Sequence, residues 1–152
     1  MKTWTIHEVA AACAMTTGGL SKWIARGHFR PAARVRPGQR RRFDWRDLAC
    51  LAVMSALRTH TLSVNALALI ASDLRDDLAE MNDSSEIVGQ LFFCADWRQR
   101  QPSPTVGLAI ETDTLSVLKQ RPKTVMIVGV GAVYRDAAGS ILVVTGAGGI
   151  VQ

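Results

Sequence analysis

Thr5-Ile6-His7-Glu8-Val9-Ala10-Ala11-Ala12-Cys13 and, after Ala14-Met15, Thr16-Thr17-Gly18-Gly19-Leu20-Ser21-Lys22-Trp23-Ile24-Ala25-Arg26-Gly27 decide how the first part of this 152-residue chain folds. A threonine followed three residues later by a glutamate is a capping box: each side chain takes a backbone N–H that a first helical turn leaves without a partner. Thr5 and Glu8 therefore predict a helix from Ile6, with Ile6, Val9, Ala10 and Cys13 on one apolar face. The run Ala14-Met15-Thr16-Thr17 breaks that period. Thr16 can cap a second helix whose apolar positions are Leu20, Trp23 and Ile24, and Gly27 supplies the positive φ that ends it. Two short helices joined by a tight turn are the outline of a helix-turn-helix.

Outward from that unit, residues 28–43 contain Pro31, Pro37 and Gly38 and no helical period. Arg40-Arg41-Arg42-Phe43, after the Pro-Gly turn, predicts one arm of a short β-ribbon. Asp44 caps a third helix, with Asp47 three residues on and Phe43 placed to pack against Leu48 across the cap. Residues 48–57 are apolar on most sides, which predicts burial all round. A fourth helix starts at the cap Ser63 and carries Leu67, Ile70, Leu74 and Leu78 as one stripe, with Asp73, Asp76 and Asp77 on its far side.

Asn82-Asp83-Ser84-Ser85 marks the expected boundary. Beyond it, residues 87–94, 106–110, 124–134 and 141–144 are short, rich in Val, Ile and Phe, and separated by turn residues, so they predict strands. Residues 135–140 are placed to close a hairpin between the last two, and residues 115–120 suit about one helical turn. The expected architecture is α+β. A winged helix-turn-helix of four helices plus a β-wing occupies residues 1–81, and a small β-rich domain for dimerisation or effector response occupies residues 86–152.

Charge divides the chain the same way. The net charge is +5, but residues 1–58 hold eleven basic and three acidic side chains, and the remaining 94 residues hold seven basic and ten acidic ones. Arg34, Arg36, Arg40, Arg41 and Arg42 crowd one stretch without an acid. A solubilising surface usually mixes its signs, so this concentration points to a polyanion partner, nucleic acid above all. An apolar share of 48% excludes a disordered chain, and no apolar run reaches the roughly 20 residues of a membrane span. The first residues lack the apolar core of a secretory signal. Cys13, Cys50 and Cys94 are odd in number and widely spaced, which argues for a reducing cytoplasm rather than a disulfide framework.

Enzyme chemistry finds little support. His7, His28 and His60 have no partner at ligand spacing and the cysteines form no C-x-x-C pair, so neither a metal nor a cofactor is expected. Cys13 and Cys50 fall on apolar faces and read as small hydrophobes, while Cys94, beside Phe92-Phe93, is open to oxidation if exposed. Val128-Gly129-Val130-Gly131 and Gly146-Ala147-Gly148-Gly149 do not fit a phosphate loop, because β-formers follow the first pair and the chain ends after the second; strand bends or sheet packing explain them.

The ordered series of marks over about half the chain resembles the DNA-binding domain of the mercury-resistance-regulator (MerR) family. That family's opening aromatic-x-I-G-E-V-A is similar to Trp4-Thr5-Ile6-His7-Glu8-Val9-Ala10, and its recognition helix T-L-R-Y-Y-E-x-x-G-L is matched by residues 19–28, with Pro31 for the proline that follows. Gly38, Arg41, Arg42, Phe43, Asp47 and Leu48 fill the G-Y-R-x-Y…D-L positions, with one residue more between Gly38 and Phe43. Thr61-Leu62-Ser63-Val64-Asn65-Ala66-Leu67 is the counterpart of G-F-S-L-E-E-I. Ser21 and Lys22 stand where the family usually has arginine and tyrosine, His7 replaces a glycine, and residues beyond 82 show no heptad run for the family's antiparallel coiled coil.

The resemblance implies a sequence-specific regulator of transcription, of the bacterial or phage type and cytoplasmic, that binds double-stranded DNA as a homodimer, with a small-molecule or protein effector on the C-terminal part. The expected DNA-contacting residues are Thr16, Thr17, Gly18, Ser21, Lys22 and Arg26 on the second helix, and Arg34, Arg36, Arg40, Arg41 and Arg42 on the wing. On a strand Arg41 faces opposite to Arg40 and Arg42. Two other readings share the scaffold: an excisionase-type factor that bends DNA for recombination, and an interaction adaptor that has lost DNA binding. The five wing arginines weigh against the adaptor.

Overall fold

Side-chain caps start every helix of the first eighty residues. The computed structural model describes residues 2–33, 35, 38–60, 62–95, 105–109, 118–119 and 125–147. Thr5 and Glu8 form the capping box of α1 (Ile6–Ala12), and the Thr16 hydroxyl accepts from the Gly19 N–H to open α2 (Thr17–Ala25). Asp44 and Asp47 make a second capping box at α3 (Trp45–Arg58), and Ser63 caps α4 (Val64–Ala79). Each cap gives an orphan N–H its acceptor, a contribution of about 1 kcal/mol. Asp83 caps a 3-10 turn (Ser84–Ile87) at the expected boundary.

Strands β1 (Leu91–Ala95), β2 (Thr105–Ala109) and β3 (Val125–Gly129) then form an antiparallel sheet in the order β2-β1-β3, with Phe92 opposite both Leu108 and Val128. The chain continues directly from β3 into α5 (Val130–Ala147).

α3 is the axis of the molecule. It packs against α4 on one side and α5 on another, and α5 also packs on α1. Trp45, Asp47, every residue from Leu48 to Met54, and Leu57 are buried, as the all-round apolar character of residues 48–57 requires. Leu67, Ile70, Leu74 and Leu78 of α4 are buried as one stripe. The same core contains Trp4, Val9, Leu20, Phe29 and Phe43 from the N-terminal elements and Ile87, Phe92, Val130, Ala137 and Ile141 from the C-terminal ones.

Several expectations for the C-terminal part are corrected. Residues 130–134 and 141–144 are helical, and residues 135–140 lie inside α5 rather than in a hairpin. Val130, Val133, Tyr134, Ala137, Ala138 and Ile141 are buried or packed on the core, at offsets of 3, 4, 7, 8 and 11, so burial on one helical face outweighs the β-preference of the valines. The C-terminal part therefore pairs its sheet with a long helix rather than being β-rich throughout. Leu118 and Lys119 are helical, and the rest of residues 115–120 lies outside the described residues.

The glycines at the β3–α5 junction open a helix rather than bending a strand, yet the packing there leaves no room for a phosphate. A Cβ on Gly131 would stand 2.4 Å from the carbonyl oxygen of Ile87, and the Val130 N–H donates to the Gln90 carbonyl. That helix start is filled by acceptor oxygens of the chain itself, which would repel an anion.

Candidate nucleic-acid interface

The turn between α1 and α2 is closed by its own backbone and clamped by α3. Met15 N–H donates to the Ala10 carbonyl at 2.8 Å and Ala14 N–H to that of Ala11 at 3.1 Å, the paired bonds of a Schellman motif. The residue in the left-handed position is Ala14, at φ +50°, where a glycine is the usual occupant. From α3, Ser55 donates its hydroxyl to the Cys13 carbonyl at 2.6 Å, and Arg58 reaches the Ala14 carbonyl at 3.5 Å. α2 ends in a second Schellman motif, in which His28 N–H bonds the Trp23 carbonyl at 2.8 Å and Gly27 takes φ +75°.

This frame fixes which side of α2 faces out. Leu20 is fully buried, while Trp23 and Ile24 pack half-buried against the core. Thr16, Gly18, Ser21, Lys22 and Arg26 are exposed on the other side. Thr17 is half-buried, and its hydroxyl lies 3.2 Å from Nδ1 of His7, joining the first turns of α2 and α1. The two glycines differ. A Cβ on Gly19 would meet the capping oxygen of Thr16 at 2.9 Å, whereas one on Gly18 would meet nothing within 4 Å. Gly19 serves the cap; Gly18 leaves the outer surface of the first turn flat.

Among the described residues of 28–43 no β-ladder forms; the single bridge joins Phe43 to Trp4, each N–H donating to the other's carbonyl at 2.9 Å. Pro31 and Pro37 have no N–H to give a ladder. The described residues of this segment are anchored at both ends. At its entry the Ala32 N–H donates to the carboxylate of Asp47 at 3.1 Å, and at its exit stands the Trp4–Phe43 bridge. Arg40 and Arg42 are exposed and Arg41 is half-buried; Arg34 and Arg36 lie outside the described residues. Arg42 and Lys2 sit close enough to Glu8 to help hold its carboxyl below its ordinary value, although the hydrogen bonds from the Thr5 backbone and hydroxyl do most of this. The first turn of α1 thus touches the start of α2 through His7 and lies within electrostatic range of the arginine-rich segment through Glu8.

Other arginines are occupied elsewhere. Arg46 Nε donates to the Leu78 carbonyl at 2.9 Å, a second guanidinium nitrogen donates to that of Met81, and the guanidinium stacks 4.6 Å from the Trp45 ring. It completes the C-terminus of α4, where a cation also suits the helix dipole. Arg75 pairs with the fully buried Asp47 at 2.7 Å and lies over the Phe29 ring. Burial pushes the Asp47 carboxyl above its ordinary value and the Arg75 charge pulls against that. By contrast Lys22, Arg26, Arg40, Arg41 and Arg42 form no ion pair among the described residues.

A helix-turn-helix clamped by a third helix, with unpaired cations on the second helix and on the segment beside it, can meet a groove and its flanking phosphates. Residues 4–74, just under half of the chain, match the family model described as MerR HTH family regulatory protein. Residues 4–74 form a MerR-like helix-turn-helix domain. No curated protein matches the chain. The MerR-like domain runs from the bridging Trp4 to Leu74 on the buried stripe of α4, so it includes both capping boxes, both Schellman turns and the pinned arginine segment. The likeness to a helix-turn-helix regulatory family suggests DNA binding by this part of the chain.

Sequence reasoning identified the caps but missed the Asp47–Ala32–Arg75 lock and the Ser55 and Arg58 clamp. The sole signal was Asp47 in the capping box; its partners lie 15 and 28 residues away along the chain. Among the described residues no group of three His, Cys, Asp or Glu could hold a metal ion, and no helix is long and apolar enough to cross a membrane. Burial pushes the thiols of Cys13 and Cys50 up to about 12, which keeps them protonated and unreactive.

Proposed function

We propose that this protein is a sequence-specific, double-stranded-DNA-binding transcriptional regulator that acts as a cytoplasmic homodimer. The observation that carries the reading is the separation of cations by partner: Arg46, Arg58 and Arg75 are engaged within the fold, whereas Lys22, Arg26, Arg40 and Arg42 stand exposed on or beside the helix-turn-helix. α2 enters the major groove by its N-terminal half. Lys22 reaches a phosphate or a guanine edge, Ser21 and Thr16 make shorter contacts, and Gly18 admits the DNA backbone. Arg40 and Arg42, together with Arg34 and Arg36, straddle phosphates at the neighbouring minor groove.

One such helix reads few base pairs, so selectivity calls for two copies on a two-fold-related site. Residues 86–152 are assigned to self-association, a reading supported by the exposed apolar side chains of Ile127, Leu142 and Val143. Selection of bound fragments from random duplex DNA, followed by sizing of the complex, tests this. A palindromic sequence held by two chains is the expected result. No enrichment over the starting pool at low salt would refute sequence-specific binding.

A further inference from the structure

The segment that leaves α2 crosses the middle of α4 and encloses an open cleft of about 500 Å³ that the DNA reading does not use. Such a volume suits a small organic ligand. His28, Phe29 and Arg30 form one wall, and Leu69, Ser72 and Arg75 form the other. Three of these can carry or share positive charge, and among the described residues no acidic side chain lines the cleft; Asp73 and Asp76 flank Arg75 on α4 but do not contribute to the lining. The apolar part is the edge of the Phe29 ring, 3% exposed and overlain by Arg75, and Leu69, which at 62% exposure is a large apolar side chain left open at the rim. Arg75 has a donor to spare: Nη2 lies 2.7 Å from Asp47 Oδ1, yet Nη1 is buried without a hydrogen-bonded acceptor among the described residues. A buried guanidinium in that state is costly, and an acceptor brought in by a ligand relieves it.

We propose that this cleft binds a small organic anion with a flat apolar body, its acidic group held by Arg30 and Arg75 and its body lying between Phe29 and Leu69. Guanidinium groups bind a carboxylate through paired N–H donors, and the ring and leucine exclude water from the body. Occupancy is felt beyond the cleft because Arg75 also holds Asp47, whose carboxylate accepts the Ala32 N–H at the entry of the arginine segment. An anion that draws on Arg75 changes that hydrogen bond.

Titration of the full, isotope-labelled chain with benzoate, followed by amide NMR, tests the site without any DNA. The expected result is saturable movement of the Phe29, Ser72 and Ala32 amides with a single Kd, and no such movement with neutral benzamide. Arg30→Ala, a change at an exposed side chain, should weaken Kd by about tenfold, the loss of one charge-assisted contact. Leu69→Ser should weaken it as well and leave the rest of the spectrum in place. No saturable shift, an equal response to benzamide or to inorganic phosphate, or full affinity in Arg30→Ala overturns the proposal. These readouts stand whether or not the protein binds DNA, so the two readings fail separately.

Discussion

The arginines of α3 and α4 and those of the segment before α3 look alike in the sequence and do opposite work. Arg46, Arg58 and Arg75 each meet a carbonyl or a carboxylate of the fold, so their charge is spent on holding helices together. Arg40 and Arg42 make no ion pair among the described residues, although Arg42 lies within electrostatic range of Glu8, and both stand exposed. Cationic composition identifies a polyanion-binding half of a chain; the partner of each guanidinium decides which residues can serve it.

The largest effect that would break this contrast lies at the lock. Asp47→Ala strands Arg75 and leaves the Ala32 and Asp44 N–H groups without their acceptor. Breaking a buried ion pair from one side costs about 3–5 kcal/mol, so urea unfolding should show most of the stability gone. Arg46→Ala removes two donors to the end of α4 and should cost roughly 1.5–3 kcal/mol in the same measurement. The double change Arg40→Ala, Arg42→Ala is expected to leave the urea midpoint within about 0.5 kcal/mol of the parent. Its effect should appear in DNA binding, where the slope of log K against log salt falls by about 2. An unchanged slope with lowered stability would place these two among the structural arginines.

Smaller changes sharpen the comparison. Ala14→Gly relieves a left-handed residue at the α1–α2 turn and should stabilise by about 1 kcal/mol without altering contacts. Least of all is the acid response of Glu8, whose carboxyl is held low by Thr5 and then by Arg42 and Lys2. A carboxyl with a depressed folded pKa stabilises above its unfolded pKa and loses that contribution as pH falls through the folded value. The stability difference between the parent and Glu8→Gln should accordingly shrink on acidification below the ordinary carboxylate range.

Much of the N-terminal fold was legible because its signals are local. A cap and its N–H are three residues apart, and Leu67, Ile70, Leu74 and Leu78 recur at helical spacing, so neither needs knowledge of the rest of the chain. The outward residues of α2 followed from the inward Leu20, Trp23 and Ile24. α5 was misread because Val130, Val133, Val143 and Val144 suggest strand by composition, although residues 130, 133, 134, 137, 138 and 141 already carried a helical period. That period wins where a face is buried, since intrinsic β-preference is worth less than the burial of a side chain. Thr17 was expected to face DNA freely, and its hydroxyl is instead turned to His7.

The sequence alone determined where the helices of the first eighty residues begin, which stripes they bury and which half is cationic, because capping, periodicity and charge act over a few residues. Only the tertiary structure decided that α5 lies against α1 and α3, that Asp47 ties Ala32 to Arg75, and that the arginine segment is held at its two ends. Those are meetings of groups far apart along the chain, and their strength depends on desolvation and on aligned donors that exist only once the core has closed.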